Sequence, residues 1–338
     1  MTVEVDHSGV DVIPAEVAAA LEAASRILLV GHVTPDADCL GSMGAFKAAL
    51  EARGKVCFAS LPAGSVNRRL AFLTEMVAMT PATDAEMKNC DLILAVDTAK
   101  ARRVNLDGKL DAYPDVPVLN IDHHATNVGY GSANWVDGER SSTAEMVYEV
   151  LRSLDCEITP TVATQLYAGL HTDTHGFSLP NTTERSLRVA AELAGSDIDI
   201  ADLCERLHRS QSRGEFDLLR VFYDNTRVTD DGHLAWSTAD YDEIHDAGCS
   251  AEDIDDQVNV PRSIEGITVA ILFTEGVKGK IRMNFRGERG VGILELAQSF
   301  AGGGHRAAAG AILDGTIEEV SQRVLAEARE FINKQLAE

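Results

Sequence analysis

The sequence predicts an α/β protein: a parallel-sheet domain with helices on both faces, followed by a smaller α/β domain. Three observations carry this expectation. Short apolar runs of the buried-strand type alternate with helical patterns through the first half of the chain. A length of 338 residues exceeds one typical core. After about residue 226 the texture changes, and strands follow one another more closely.

Taken in order, Pro14 to Ala24 reads as a helix with proline at its start. Arg26 to Gly31 is a continuous apolar strand. Leu40 to Arg53 reads as a helix that stops before Gly54. Lys55 to Ala59, Asp91 to Val96 and Val116 to Ile121 read as further strands. Helical patterns occupy Ser142 to Leu154, Thr161 to Gly169 and Thr183 to Leu193. Ser196 to Thr226 looks largely helical and is expected to join two domains. Beyond it, His233 to Thr238, Gly266 to Phe273 and Gly279 to Phe285 read as strands. The acidic stretch Asp240 to Asp256 is expected to be a solvated helical face. Ile293 to Phe300 reads as a helix, Ala308 to Leu313 as a strand and Thr316 to Leu336 as the last helix. The expected division is a first domain over residues 1–195, a helical connection over 196–229 and a second domain over 230–338.

The net charge of −23 argues against a basic groove for long duplex nucleic acid, because phosphate binding rests on Lys and Arg. An anionic substrate would be small and met by a local cluster of metal and arginine. No run approaches the ~18 apolar residues of a membrane span. Met1 to Ile13 has acidic residues and no basic flank, so no secretory signal is read there and a cytoplasmic setting is expected. The cysteines are Cys39, Cys57, Cys90, Cys156, Cys204 and Cys249. None forms a close pair, which argues against a disulfide framework or a structural zinc site. Most should be buried small hydrophobes, with Cys39 packed beside Asp38.

Chemistry concentrates where apolar segments stop. His32, Asp36 and Asp38 lie on the turn after the first strand. In extended geometry the two aspartates project to one side; the other reading is that Asp38 caps the next helix. Asp97 ends the run Leu92 to Val96. A carboxylate ending a buried strand needs a partner, because an unpaired buried charge is costly. It is either a helix cap or a ligand shared by two ions. Asp122-His123-His124 closes the run Val118 to Ile121. One imidazole can bind metal while the other faces substrate, and the aspartate can fix an imidazole tautomer. Asp173 comes late in a helical stretch, flanked by His171 and His175. Residues two apart on a helix do not share a face, so Asp173 is the expected ligand and the histidines belong to its surroundings. Carboxylates mixed with imidazoles suit two divalent cations, Mn2+ first, with Mg2+, Co2+ or Fe2+ as alternatives. Two such ions ~3.5–4 Å apart are the machinery of phosphoester hydrolysis.

These residues, in this order, resemble the DHH phosphoesterase superfamily. The resemblance covers nearly the whole chain, with Arg26 to about Leu193 similar to its catalytic domain and about Asp230 to Glu338 to its DHH-associated domain. Gly41-Ser42, Asn127 and Asn181-Thr-Thr183 fit the same pattern. Gly302-Gly303-Gly304-His305, Ala307 to Gly310 and Arg286 narrow it. They resemble the bacterial oligoribonuclease and 3′-phosphoadenosine 5′-phosphate phosphatase (nanoRNase) branch. The resemblance implies one ion held by His32, Asp36 and Asp97, and another by Asp38, Asp97, His123 and Asp173. It implies that Asp97 bridges, that His124 faces the substrate phosphate and that Asp122 orients a histidine. Arg286 and His305 would donate to phosphate or the leaving nucleotide. Gly303 and Gly304 would let backbone approach it. Ala37, Cys39, His175 before Gly176, and Gly287 depart from the family pattern. The implied activity is hydrolysis of short oligoribonucleotides to mononucleotides, and of 3′-phosphoadenosine 5′-phosphate to AMP, by a homodimer working off the membrane, with the space between the domains limiting substrate length. Rival readings are a cyclic dinucleotide phosphodiesterase, a RecJ-like single-strand exonuclease and a non-catalytic nucleotide-binding module.

Overall fold

The computed structural model describes residues 13–337 apart from 62–63, 65, 107–109, 209–211, 251–253, 255 and 289. All but the last residue of the segment read for a secretory signal lies outside them. The chain divides into two compact units, Met1–Ser210 and Gln211–Glu338.

The first unit runs α1 (Ala15–Ala23), β1 (Arg26–Val30), α2 (Ala37–Ala52), β2 (Val56–Ala59), α3 (Ala71–Met76), α4 (Asp84–Lys88) and β3 (Leu92–Val96). It continues with β4 (Val118–Asp122), β5 (Ala133–Val136), α5 (Thr143–Ser153), α6 (Pro160–Asp173), α7 (Glu184–Ala194) and α8 (Ile200–His208). Its five strands are all parallel, in the order β2-β1-β3-β4-β5. Side chains alternate across the sheet. Ile27, Leu29, Leu94 and Leu119 bury against α2, α5 and α6 on one face. Leu28, Val30, Ile93 and Ala95 bury on the other face against Met87 of α4, Val104 and Leu106. The strand order reverses at β1, which has β2 on one side and β3 on the other. In open parallel sheets the crevice for ligand opens at that point, beyond the carboxyl ends of the strands. His32 and Asp97 follow β1 and β3 there.

Three local differences from the sequence reading bear on the site. Helix α2 begins at Ala37, earlier than Leu40, because Asp36 caps it and accepts from the Cys39 N–H at 3.0 Å. The turn is therefore not extended at Asp38, and the capping aspartate is Asp36 rather than Asp38. Helix α6 runs through Asp173 instead of stopping at Gly169. Strand β5 was not expected from the sequence, since Ala133-Asn-Trp-Val136 has no apolar run and only Trp135 is buried.

The second unit comprises α9 (Arg213–Asn225), β6 (Arg227–Val228), β7 (Leu234–Ala239), α10 (Tyr241–Asp246), α11 (Asn259–Arg262) and β8 (Val269–Val277). After these come β9 (Lys280–Gly287), α12 (Leu294–Ser299), β10 (Gly303–Gly304), β11 (Ala308–Asp314) and α13 (Ile317–Ala337). The sheet order is β10-β11-β9-β8-β7-β6, antiparallel except for β7 beside β8. Phe273, Phe285 and Met283 bury under α12 and α13, and Leu272 packs on the other face with Leu218 and Phe222 of α9. Within the acidic stretch, Asp240 and Glu243 form a capping box for α10, and Ile244 turns inward. Among the described residues no helix is long and apolar enough to cross a membrane.

Candidate metal centre

Every residue read as a metal ligand lies in the first unit, and the structure brings them together at the carboxyl edge of its sheet. Asp97 follows β3 with φ of 52°, a left-handed conformation that few non-glycine residues adopt. Its N–H still donates to Ile121 O at 3.0 Å, so the neighbouring strand holds the turn. Around its carboxylate stand His32 Nε2 at 3.5 Å, His123 Nε2 at 3.6 Å and His124 Nδ1 at 3.4 Å. His32 Nε2 also lies 3.7 Å from Asp36 Oδ2. His123 Nε2 lies 3.0 Å from Asp173 Oδ2 and 3.9 Å from Asp38 Oδ2. Three groups of donor atoms, each lying within 4.8 Å of one another, contain Asp97: His32–Cys39–Asp97, Asp38–Asp97–His123 and Asp97–Asp122–His124. The first two meet at Asp97 from opposite histidines, His32 and His123. The oxygen and imidazole donors among them fit divalent cations of the Mn2+ and Mg2+ type, while burial pushes the Cys39 thiol up and keeps it protonated.

The surroundings fix these donors. Asp38 is fully buried, and its two oxygens accept from the Thr143 and Ala144 N–H groups at 2.7 and 2.8 Å. Those N–H groups open α5, whose positive dipole end favours a carboxylate. The Thr143 hydroxyl donates to Asp97 Oδ1 at 3.1 Å, so one residue steadies two carboxylates. Sequence reasoning missed Thr143. Its signal was the polar run Ser141-Ser142-Thr143 ahead of Glu145, legible only as a helix start. His123 Nδ1 faces the Arg140 carbonyl at 3.4 Å, which leaves Nε2 toward Asp38, Asp97 and Asp173. Arg140 is itself buried between Asp137 and Glu149. Asp122 accepts from His124 Nδ1 at 2.7 Å and from Asn127 Nδ2 at 2.6 Å. Asn181 Nδ2 ties the Ser141 and Asp173 carbonyls together at 2.9 and 3.1 Å. His171 contacts other partners, and His175 is exposed.

Removing Thr143's hydroxyl therefore has an expected cost. Thr143→Val lowers Mn2+ affinity roughly ten- to a hundredfold, as loss of a ligand-orienting bond does. Thr143→Ser retains it. Equilibrium dialysis with Mn2+ checks both.

Charge explains what happens without metal. Burial alone would push His32 down, but the Asp36 and Asp97 carboxylates outweigh it and hold His32 at about 9. Burial opposes charge at His123 as well, and Asp173 and Asp97 outweigh it to give about 9. Burial also pushes Asp97 up, yet His124 and His32 hold it well below the usual carboxylate range. Asp38 goes the other way, raised by burial and by the charges of Asp97 and Asp173. In the metal-free chain the folded-state pKa values of His32 and His123 exceed the free value. Their stabilising contribution is complete below about 6.5 and fades as pH rises through about 9. Metal must displace those protons. Mn2+ affinity at each position is expected to rise about tenfold per pH unit from neutrality up to about 9. Competition titrations against a metallochromic chelator measure that slope.

In the second unit, Arg286 lies on β9 in register with Ala308 of β11. His305 forms the turn before β11, its N–H donating to Ala308 O at 2.7 Å. The two expected substrate residues thus share one end of this sheet. Gly304 has φ of 139°, and a Cβ there would lie 2.6 Å from Ala308 O. The β10–β11 hairpin requires glycine at that position on steric grounds alone.

Comparison with known proteins gives consistent matches over most of the chain. Residues 26–170 match the DHH family, N-terminal domain, and residues 236–337 match the DHHA1 domain. The chain is 34% identical over 323 residues to the bifunctional oligoribonuclease and PAP phosphatase NrnA of Thermus thermophilus, covering 95% of this chain and 94% of that one. It is 30% identical to the Bacillus subtilis protein of the same name, over 84% of this chain and 88% of the other. Among solved structures, an exopolyphosphatase-related protein from Bacteroides fragilis superposes with a TM-score of 0.82 at 22% identity, covering 99% and 98% of the two chains. RecJ of Thermus thermophilus in complex with Mn2+ superposes with a TM-score of 0.53 at 15% identity, over 94% of this chain and 54% of that one.

Proposed function

The chain belongs to the DHH family, and on that premise we propose that it is a two-metal phosphoesterase. Its proposed substrates are short oligoribonucleotides, released as mononucleotides, and 3′-phosphoadenosine 5′-phosphate, released as AMP. The observation that supports this most is the pair of donor groups meeting at the one carboxylate of Asp97. The relatives named for oligoribonuclease and PAP phosphatase activity support the substrate class.

His32, Asp36 and Asp97 would hold one ion, and Asp38, Asp97, His123 and Asp173 the other, with Mn2+ the proposed metal. When bound, the ions supply Lewis-acid polarisation of the phosphoryl group and activation of the attacking water. The chain's own residues do the rest. Asp122 accepts the Nδ1 proton of His124, and burial, which would lower His124, is outweighed by Asp122 and Asp97. The imidazolium so held presents Nε2–H to a phosphoryl oxygen and offsets charge developing there. Thr143 and the start of α5 keep Asp38 and Asp97 from reorienting during turnover. Arg286 and His305 are the proposed donors to the phosphate or the leaving nucleotide, by charge-assisted hydrogen bonds. The chain's net charge of −23 supports small rather than long duplex partners. A homodimer is the assembly proposed from the family resemblance.

The test is an activity comparison with Mn2+ on short labelled RNAs, 3′-phosphoadenosine 5′-phosphate, cyclic di-AMP and pyrophosphate. Mononucleotides and AMP are the expected products. Turnover confined to cyclic di-AMP or pyrophosphate, or binding without any product, contradicts the proposal. In the same assay Arg286→Ala is expected to lower kcat/KM on RNA roughly ten- to a hundredfold, the loss of one charge-assisted bond.

A further inference from the structure

Residues 137–144 join β5 to α5, and from them bonds run to His123, Asp38 and Asp97. The Arg140 carbonyl faces His123 Nδ1 at 3.4 Å. The Thr143 and Ala144 N–H groups donate to Asp38 at 2.7 and 2.8 Å, and the Thr143 hydroxyl donates to Asp97 at 3.1 Å. A buried charge cluster holds this loop. Arg140 Nε donates to Asp137 Oδ2 at 2.8 Å, and Nη1 donates to Glu149 Oε1. The guanidinium lies over the Trp135 ring, 5.5 Å from its centroid. Glu145 Oε1 stands 3.6 Å from the same Nη1. Glu145 Oε2 accepts from the Ser141 N–H at 3.2 Å and also from the Ser141 hydroxyl. Arg185 of α7 approaches both glutamates at 3.9 Å. Glu145 and Glu149 are one turn apart on α5, so Arg140 bridges two like charges that would otherwise repel.

Such a cluster costs stability. Arg140, Glu145 and Glu149 are buried, and Glu145 Oε1 and Glu149 Oε2 have no hydrogen bond. Burial pushes the Glu149 carboxyl up to about 7 against the pull of Arg140. Apolar side chains of similar volume would fill the space without that cost. What the charges add is geometry, because a planar, forked cation between fixed carboxylates holds the Arg140 main chain in one place.

We propose that Arg140, Glu145 and Glu149 are positioning residues for one of the two metal positions, the one assigned to Asp38, Asp97, His123 and Asp173. This rests on the two-metal reading above. The Arg140 carbonyl takes the Nδ1 proton of His123, so the Nε2 lone pair is the one offered to a cation. The other position is steadied elsewhere, since His32 pairs with Val104 in an isolated bridge and Asp36 caps α2. Disturbing the cluster therefore weakens one ion and spares the other, which a general loss of stability does not do.

The test is Mn2+ binding to the full chain at about pH 8, where Glu149 is ionised, followed by electron paramagnetic resonance beside a denaturant melt. The native chain is expected to bind two equivalents; fewer would fail the two-metal reading itself. Arg140→Met with Glu149→Leu removes both charges of the ion pair and is expected to melt as the native chain does. One equivalent should weaken roughly ten- to a hundredfold while the other stays within about threefold. Adding Asp36→Asn should weaken the remaining equivalent, which identifies it. Glu149→Gln keeps an acceptor for Arg140 Nη1 and removes only charge, so it should bind both equivalents as the native chain does. Ser141→Ala removes only the hydroxyl that Glu145 accepts and should weaken the same equivalent about three- to tenfold, which decides the matter if the double variant does not fold. The proposal is overturned if the double variant, or Ser141→Ala in its place, binds both equivalents as tightly as the native chain. It is also overturned if both equivalents weaken together, or if Glu149→Gln alone reproduces the loss.

Discussion

Asp97→Ala is expected to reduce Mn2+-dependent phosphoester hydrolysis by at least about 10³-fold while leaving the fold intact. The activity loss follows from position. Asp97 is the residue common to both donor groups, so its removal weakens two sites rather than one. The fold survives because the residue stands on a turn after β3 and its side chain packs no core. His32 and His124 each keep another carboxylate, Asp36 and Asp122 respectively. The left-handed φ of 52° suits Asp better than Ala, a cost of about 1 kcal/mol. Asp97→Asn keeps that backbone preference and removes only the charge, so it should be equally inactive and closer to native stability. Circular dichroism with a denaturant melt, run beside the assay, separates the two effects. A folded Asp97→Ala chain that retains Mn2+-dependent turnover sinks the metal assignment.

Gly169→Ala should unfold at lower denaturant, by ~1–3 kcal/mol of overpacking, and should lose Mn2+ affinity at the position that uses Asp38. Two effects compete here. Alanine exceeds glycine in helix propensity by about 1 kcal/mol, which alone would stabilise α6. A Cβ at Gly169, however, would lie 2.6 Å from Asp38 Oδ1, 2.9 Å from Asp38 Cα and 2.8 Å from the Ala144 Cβ. The first two atoms are a carboxylate oxygen and the backbone Cα of buried Asp38, whose carboxylate α5 holds, so nothing flexible can yield. Packing therefore wins, and the sign of the change distinguishes the effects. Gly41→Ala behaves similarly, since its Cβ would lie 2.3 Å from Gln165 O on α6. Small residues let α2 and α6 approach, and that approach seats Asp38 beneath Thr143. A Gly169→Ala chain more stable than native would show that the helices can separate without cost.

Much of this was legible in the sequence because the signals were local. Leu92 to Val96 reads as a buried strand from five consecutive apolar residues, and the residue after such a strand lies at the ligand-binding edge. The same logic located His32, Asp122, His123 and His124. What escaped depends on contacts between segments far apart in sequence. Thr143 lies more than forty residues from Asp97 and more than a hundred from Asp38, and no spacing rule joins them. Asp36 rather than Asp38 became the helix cap because burying Asp38 against α5 satisfies both of its oxygens. Strand β5 escaped because an edge position against β4 supplies the pairing that its own composition does not favour.

Anomalous diffraction from Mn2+-loaded crystals tests the central claim most directly. The account predicts two anomalous peaks sharing the Asp97 carboxylate, one against His32 and Asp36, the other against Asp38, His123 and Asp173. A single peak, or two peaks of which neither touches Asp97, would contradict it.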